Sequence, residues 1–317
     1  MASAEVLGCY GYLPSKVISN ADLCKTVDTS EDWIVSRTGI LNRHIASVDE
    51  FTSDLALKAA RGALQNADLN AVDMIIVATT TPDSTFPSTA VKVQRGLGIP
   101  GNIPAFDIQA VCSGFIYGLE VANCFILSKK YKTILLIGAD KMSSIVDWSD
   151  RNTCVLFGDG AGAIVLGASK DSSGIIDTLI HADGEFYESL CTNGGPSSTG
   201  STGKLYMEGK TVFRHAVTSM SCAIKNLLNK NGIEKSEIKY FIPHQANERI
   251  TESVRKEVDL KQEQVISTVH LHANCSAGSI PLALDYSIKK NKIQKGDIVL
   301  FASFGGGFTW GAALLRW

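Results

Sequence analysis

The chain has 317 residues, 45% hydrophobic and 20% charged, with a formal net charge of -2 and a pI near 6.3. That composition supplies a sizeable core for one or two domains and excludes a general basic field for nucleic acid or a membrane surface, so any charge-guided partner must read a local patch. The opening Met1-Ala-Ser-Ala-Glu-Val-Leu-Gly-Cys has no basic or apolar targeting region, and no apolar run nears the ~20 residues that span a bilayer, which predicts a cytoplasmic protein.

In chain order, the first buried strand falls at Met74-Ile-Ile-Val-Ala after the polar lead-in Leu69-Asn-Ala-Val-Asp. A strand-like approach from Ile103 to Val111 then ends at Cys112 and a helix whose Phe115, Ile116, Leu119, Ala122 and Ile126 share one face. Ile134-Leu-Leu-Ile-Gly-Ala and Gly162-Ala-Ile-Val-Leu are further strands, separated by extra residues around Ser143 to Thr153 of the kind that build sites. Polarity and glycine content rise at Gly167-Ala-Ser-Lys-Asp-Ser-Ser-Gly, which places a boundary near residue 172, and Gly194-Gly-Pro-Ser-Ser-Thr-Gly reads as a surface loop.

The second half echoes the first at an offset of about 164 residues. Ile233 to Ile242 repeats the lead-in and strand, Asn274-Cys-Ser-Ala-Gly-Ser repeats the small-residue turn at Cys112, and Ile298-Val-Leu-Phe-Ala-Ser repeats the strand at Ile134. Short β-branched runs alternating with helical patterns, twice over, predict an α/β fold in which two sheets share helices, a five-layered αβαβα pair with halves 1–172 and 173–317.

Eight cysteines occur without a CxxC pair, so neither a zinc site nor a disulfide scaffold is indicated, and most should be buried apolar groups. Cys112 differs, because it sits at a helix start where free N–H groups favour a thiolate. His244, after the apolar strand Tyr240-Phe-Ile-Pro, lies where sites gather in α/β folds. Asn274 occupies the repeat position matching Cys112. The pseudo-symmetry thus points a thiol, an imidazole and a carboxamide at one another. A papain-like hydrolase uses the same chain order, but the duplication and the absence of a Cys-Trp signature disfavour it.

Five segments, Val111-Cys-Ser-Gly-Phe, Phe157-Gly-Asp-Gly-Ala-Gly-Ala, Pro243-His-Gln-Ala-Asn, Ala273-Asn-Cys-Ser-Ala-Gly-Ser-Ile-Pro and Phe304-Gly-Gly-Gly-Phe-Thr-Trp-Gly, resemble in order the signatures of β-ketoacyl-ACP synthase III in the thiolase superfamily. The resemblance spans essentially the whole chain. It implies a thiolase-like fold and an initiating step of type II fatty acid synthesis, in which Cys112 takes an acyl group from acyl-CoA and His244 with Asn274 drives decarboxylative condensation with malonyl-ACP. Oxyanion donors are implied at the Cys112 and Gly306 backbone N–H groups, with Gly305 to Gly307 allowing close approach. No metal, flavin or nicotinamide is required. A condensing enzyme or acyltransferase of secondary metabolism is the nearest relative reading.

The same resemblance implies a coenzyme A site at Thr29, Trp33, Arg37 and Arg151, in which an indole and a guanidinium sandwich the adenine and Arg151 adds a third contact. It implies docking of acyl carrier protein on Gln245, Ala246, Asn247, Glu248, Arg249, Arg214 and Lys256, with Arg249 central, while Ile250, Val254 and Val258 make the buried stripe of that helix. Phe86 and Phe304 are implied at the acyl pocket, Phe86 from across a homodimer interface. Three positions depart from the family pattern: Cys275 in place of Thr, Gly278 in place of Ala, and His272-Ala273 in place of an aromatic or histidine followed by glycine. Cys275 is a neighbouring thiol expected to be structural.

Overall fold

A computed structural model describes residues 3–317. The chain runs through β1 (Ala4–Tyr12), β2 (Lys16–Ser19), α1 (Asn20–Leu23), α2 (Glu31–Thr38), β3 (Asn42–Ile45), α3 (Thr52–Asn66), β4 (Met74–Ala78), α4 (Thr89–Leu97), β5 (Ala105–Ile108), α5 (Gly114–Leu127), β6 (Thr133–Asp140), α6 (Arg151–Cys154) and β7 (Gly160–Ala168). It continues with β8 (Gly174–Ala182), β9 (Leu190–Thr192), β10 (Leu205–Met207), α7 (Gly209–Asn231), β11 (Ile238–Pro243), α8 (Glu248–Glu257), α9 (Val269–His272), α10 (Ser279–Lys289), β12 (Ile298–Gly305) and β13 (Thr309–Arg316).

Two mixed sheets carry the fold, one ordered β1-β7-β6-β4-β5 and the other β11-β12-β13-β8. They match strand for strand: β4 pairs parallel to β6 as β11 does to β12, and β7 lies antiparallel between β6 and β1 as β13 does between β12 and β8. The counterpart of β5 is reduced to one isolated parallel bridge, Phe241 to Val265. The central strands β4 and β12 are buried along their whole length, as their unbroken apolar runs require of a sheet covered on both faces.

Helices α5 and α10 lie between the sheets, α3 and α4 cover the outer face of the first, and α7 with α8 covers the second, giving the five expected layers. Phe115, Ile116 and Leu119 of α5 meet Ile280 and Leu284 of α10 and Phe301 of β12 in the central core. All five residues assigned to the apolar face of α5 are buried. Gly138 on β6 lets the second small-residue turn seat on the first sheet, since a Cβ there would stand 2.2 Å from the Ala277 carbonyl oxygen.

The matched turns refine the repeat. Single 3-10 turns, Val111–Ser113 and Ser276–Gly278, precede α5 and α10, and each opens on a non-glycine residue in the left-handed region, Val111 at φ 49° and Ser276 at φ 48°. Ala277, not Asn274, is therefore the counterpart of Cys112. Asn274 belongs to the segment just ahead of the turn, where sequence alignment alone slid it into register by chemical similarity.

Candidate active site

Cys112, His244, Asn274 and Phe304 line one cavity of about 720 Å³, with Trp33, Arg37 and Arg249 also on its wall. Arg37 and Arg249 are exposed and so mark its mouth, whereas Cys112, His244 and Asn274 are all less than a tenth exposed.

Each side chain is positioned by a different element. Cys112 is the middle residue of its 3-10 turn, clasped to the β12–β13 hairpin by two bonds: Ser113 Oγ donates to the Thr309 carbonyl and Thr309 Oγ1 to the Ala110 carbonyl, both at 2.9 Å. Gly305 packs so tightly here that a Cβ would lie 2.8 Å from the Cys112 nitrogen. His244 follows β11, and its backbone N–H donates to Ala302 at 2.8 Å. Its Nδ1 is 2.6 Å from the Ser279 hydroxyl, which also accepts the Gln245 N–H at 3.2 Å. In the tautomer in which the Ser279 hydroxyl donates to Nδ1, the other nitrogen, Nε2, carries the N–H and is the donor. Asn274 Oδ1 accepts the Ser276 N–H at 2.8 Å, so the amide's NH2 is its remaining donor. Its backbone bridges Phe157, donating to Leu156 at 2.9 Å and accepting from Gly158 at 3.1 Å.

The Gly158-Asp-Gly motif is the brace behind Asn274. A Cβ on Gly158 would stand 2.6 Å from the His272 carbonyl, and buried Asp159 accepts from Ala46 N–H at 2.8 Å and from Ser143 N–H and Oγ at 2.8 and 2.6 Å. The extra residues after Ser143 do build the site, because Asn152 lines the cavity.

Burial sets the electrostatics. It pushes the Cys112 thiol up to about 12 and His244 down to about 3, the latter helped by the neighbouring His272. The sequence placed Cys112 at the helix start and expected a thiolate there; α5 begins two residues later, at Gly114, and burial is the largest influence on the Cys112 thiol. Both groups are neutral at rest. Cys275 is fully buried, which raises its thiol well above the usual range, and it is absent from the cavity wall and turned toward the His272 carbonyl at 3.4 Å.

The remaining assigned residues are spread over several places. The guanidinium facing the Trp33 indole is that of Arg151, 4.8 Å from the ring centre and held by the Asp28 carbonyl at 3.0 Å, and Arg37 lines the same cavity as Trp33. Thr29 is half-buried, off the cavity wall, with an unpartnered Oγ1. Gln245 is fully buried and cannot form a docking surface: its amide nitrogen donates to Pro243 at 2.6 Å, and its oxygen accepts from Thr268 and Val269 at 2.7 and 3.1 Å. Asn247 is the N-cap of α8 through its bond from Ile250, and Glu248 accepts from Ser267. Ala246 and Arg249 line the cavity, with the Arg249 guanidinium 5.5 Å from the Phe213 ring centre. Lys256 and Arg214 are exposed away from the cavity, Lys256 paired with Glu252 at 3.2 Å. Gly306 is buried in the β12–β13 turn and off the cavity wall, and Phe86 is 83% exposed.

Sequence reasoning missed the second wall. Leu205 and Met207 of β9–β10 and Phe213 and Met220 of α7 close the cavity opposite Cys112, and helical apolar spacing in α7 gave no sign that one face meets a cavity and not only a sheet.

Models of 3-oxoacyl-[acyl-carrier-protein] synthase III match residues 106–184, and models of its C-terminal portion match residues 228–317. A β-ketoacyl-[acyl-carrier-protein] synthase III from Rickettsia bellii is 55% identical over 317 residues, covering 99% of this chain and all of that protein. The chain belongs to the β-ketoacyl-ACP synthase III family. Solved members share the backbone: the Aquifex aeolicus synthase has a TM-score of 0.95 at 45% identity, over 99% of this chain and 100% of its own, and the Pseudomonas aeruginosa synthase 0.94 at 39%, over 99% and 98%. A thiolase-like β-ketoacyl-ACP synthase III fold and an initiating condensing enzyme are therefore established for the chain, in preference to a hydrolase or a secondary-metabolism branch. Among the described residues, no helix is long and apolar enough to cross a membrane and no group of three or more His, Cys, Asp or Glu could hold a metal ion.

Proposed function

We propose that Cys112 accepts the acyl group of an acyl-CoA, acetyl-CoA first among them, and that His244 and Asn274 then stabilise the decarboxylation of malonyl-ACP, releasing CO2 and CoA and giving a β-ketoacyl-ACP. The observation that carries this reading is the convergence of the three side chains, from separate segments, on one cavity with an arginine-lined mouth. In the first half-reaction the sulfur attacks the thioester carbon, and the oxyanion is met by the N–H groups of Cys112 and Gly306. In the second, loss of CO2 builds enolate charge on the malonyl thioester oxygen. His244 Nε2–H and the Asn274 amide meet that charge, and a neutral imidazole suits the task because it donates without titrating. The carbanion then attacks acyl-Cys112, and the restored sulfur leaves.

No cofactor is required, and acyl-CoA is a substrate. Arg151, Trp33, Arg37 and Thr29 form the coenzyme A contacts, the first two already stacked as a slot that adenine would part. Arg249 at the cavity mouth, with Arg214 and Lys256, receives the acidic carrier protein, and the nearest support is the exposure of all three. A homodimer in which Phe86 enters the partner's acyl pocket, a cytoplasmic setting and halves 1–172 and 173–317 complete the proposal. The exposure of Phe86 supports the first and the step from β7 to β8 supports the last.

Intact-mass measurement after mixing with acetyl-CoA should show one added acetyl group in the native chain and none in Cys112→Ser. Acetylation that persists in the variant would assign the acceptor elsewhere.

A further inference from the structure

The two donors for the enolate oxygen come from separate segments, His244 after β11 and Asn274 after α9, and both must reach the same atom at hydrogen-bond distance. An error of about 0.5 Å in their spacing takes one of them off that oxygen. On one side the turn from Ser276 to Ser279 joins them by their side chains: Asn274 Oδ1 accepts the Ser276 N–H at 2.8 Å, and His244 Nδ1 lies 2.6 Å from the Ser279 hydroxyl. A second connection runs behind the pair and joins their backbones.

It starts at Gln245, the chain neighbour of His244. All four hydrogen-bonding positions of the Gln245 amide are used: Nε2 donates to the Pro243 carbonyl at 2.6 Å and to the Ile266 carbonyl at 3.4 Å, and Oε1 accepts the Thr268 and Val269 N–H groups at 2.7 and 3.1 Å. With carbonyls on one side and N–H groups on the other, only this orientation of the amide is satisfied. Gln245 thus caps α9 from a distant segment, a task that the hydroxyl of Thr268, at the N-cap position, leaves undone. That hydroxyl is 2.8 Å from His272 Nε2, and His272 Nδ1 is 2.8 Å from the Ala273 carbonyl. A carbonyl only accepts, so Nδ1 carries the proton, and Nε2, bare in an imidazole that burial keeps neutral, accepts from Thr268. The bond to Ala273 bears directly on Asn274. It holds the carbonyl of a residue at φ 60°, ψ -161°, and so the direction in which the backbone enters Asn274.

We propose that Gln245, Thr268 and His272 are positioning residues that set the spacing of His244 and Asn274 and thereby govern CO2 release but not acyl transfer. All three are buried and none lines the cavity, so none touches a substrate. With the Ser276–Ser279 turn they close a loop of bonds through both donors, which fixes backbones behind and side chains in front. Cys112 is held separately, by the bonds that Ser113 and Thr309 make between its turn and the β12–β13 hairpin. The proposal rests on His244 and Asn274 as the donors in decarboxylation.

The test measures the two half-reactions in Gln245→Met, Thr268→Val and Thr268→Ser: acylation of Cys112 by acetyl-CoA in quenched flow, and CO2 release from malonyl-ACP by the acetylated enzyme over a range of carrier concentrations. Thr268→Val keeps the side-chain shape and deletes the donor to His272. It should lower kcat for CO2 release at least fivefold, and Gln245→Met at least tenfold, with the KM for malonyl-ACP and the acylation rate within twofold of native. Thr268→Ser keeps the hydroxyl and should hold kcat within twofold. Parallel loss of both half-reactions would make the path a merely structural one and overturn the proposal. A rise in KM at unchanged kcat would also overturn it, by returning Gln245 to the surface that receives the carrier protein. Should Gln245→Met fail to fold, the Thr268 pair decides alone, and equal rates in the valine and serine variants refute the path. Absence of CO2 release by the native chain would instead overturn the reading of the site on which the proposal stands.

Discussion

Acidification to pH 5 should destabilise this fold through two histidines. Burial lowers His244 to about 3 and His272 to about 4, and both are fully enclosed. Below the ordinary value of 6.5 the unfolded chain binds a proton at each position that the folded chain refuses. Stability is therefore complete above about pH 6.5 and is lost as pH falls below it, by about 1.4 kcal/mol per unit for each group. At pH 5 the loss is about 2 kcal/mol per histidine, or about 4 kcal/mol together, a large fraction of the ~5 to 15 kcal/mol that typically holds a fold. The size is set by the unfolded value as long as the folded one lies near 4 or lower, so it does not depend on the exact depth of either shift.

Carboxylates titrate in the same range, and they do not all act in the same direction. Burial raises Asp140, Asp159 and Asp285, which work against the histidines, because a raised carboxyl binds its proton more readily folded than unfolded. The clean observable is a difference. Urea unfolding of the native chain and of the His244→Gln, His272→Gln double variant at pH 7.5 and pH 5.0 cancels the carboxylates common to both. The native protein should lose about 4 kcal/mol more than the variant over that interval. Equal losses, within about 0.5 kcal/mol, would mean that the histidines are not held neutral and the reasoning fails.

Ser279→Ala removes the hydroxyl that holds Nδ1 of His244 and should slow CO2 release from malonyl-ACP five- to tenfold, the effect of about 1 kcal/mol of buried hydrogen bonding, with acylation less affected. Equal slowing of both half-reactions would deny Ser279 its part in fixing the donor nitrogen. Arg249→Glu should raise the KM for malonyl-ACP at least tenfold more than the KM for acetyl-CoA, and parallel changes would remove the carrier protein from that helix. Ala273 sits at φ 60°, ψ -161°, a region that suits glycine, so strain of about 1 to 3 kcal/mol should offset the methyl contact and chain entropy that Ala273→Gly gives up. Thermal unfolding should then move by less than about 1 kcal/mol equivalent, and a larger loss would show the strain to be absorbed elsewhere.

What could be read from the residues was whatever has a local period or a local chemical signature. The apolar face of α5, the fully buried runs of β4 and β12, and the placement of His244 just after a strand all follow from patterns within a dozen residues. Three things did not. Gln245 lies within a motif that borders the cavity, yet points inward to cap the Thr268 turn, and no spacing distinguishes the two directions. The side chain that faces the Trp33 ring is Arg151, whose approach depends on the loop between β6 and α6, and no spacing in the sequence brings the two together. Asp140 and Ala277 are an acid ending a strand and a small residue in a turn of the other half, and only the packing of that turn on β6 makes them neighbours.

That stacking also explains why strain is tolerated here. A valine and a serine at φ near 50° each cost about 1 to 3 kcal/mol, and each begins one of the two packed turns, Val111 the turn that carries the nucleophile and Ser276 the turn that seats on β6. Relaxing either residue into the right-handed region would rotate Cys112 or Ala277 away from the shared interface, where Gly138 and Gly305 leave no room for a β-carbon to intervene. Closeness of the turns excludes water, and exclusion of water is what keeps the sulfur protonated and the imidazole neutral. A thiolate formed by losing its proton to solvent would, at neutral pH, cost about 7 kcal/mol in such a place. The dryness that would protect an acyl-enzyme from hydrolysis therefore also keeps the resting nucleophile a thiol, and the packing of the two strained turns sets both.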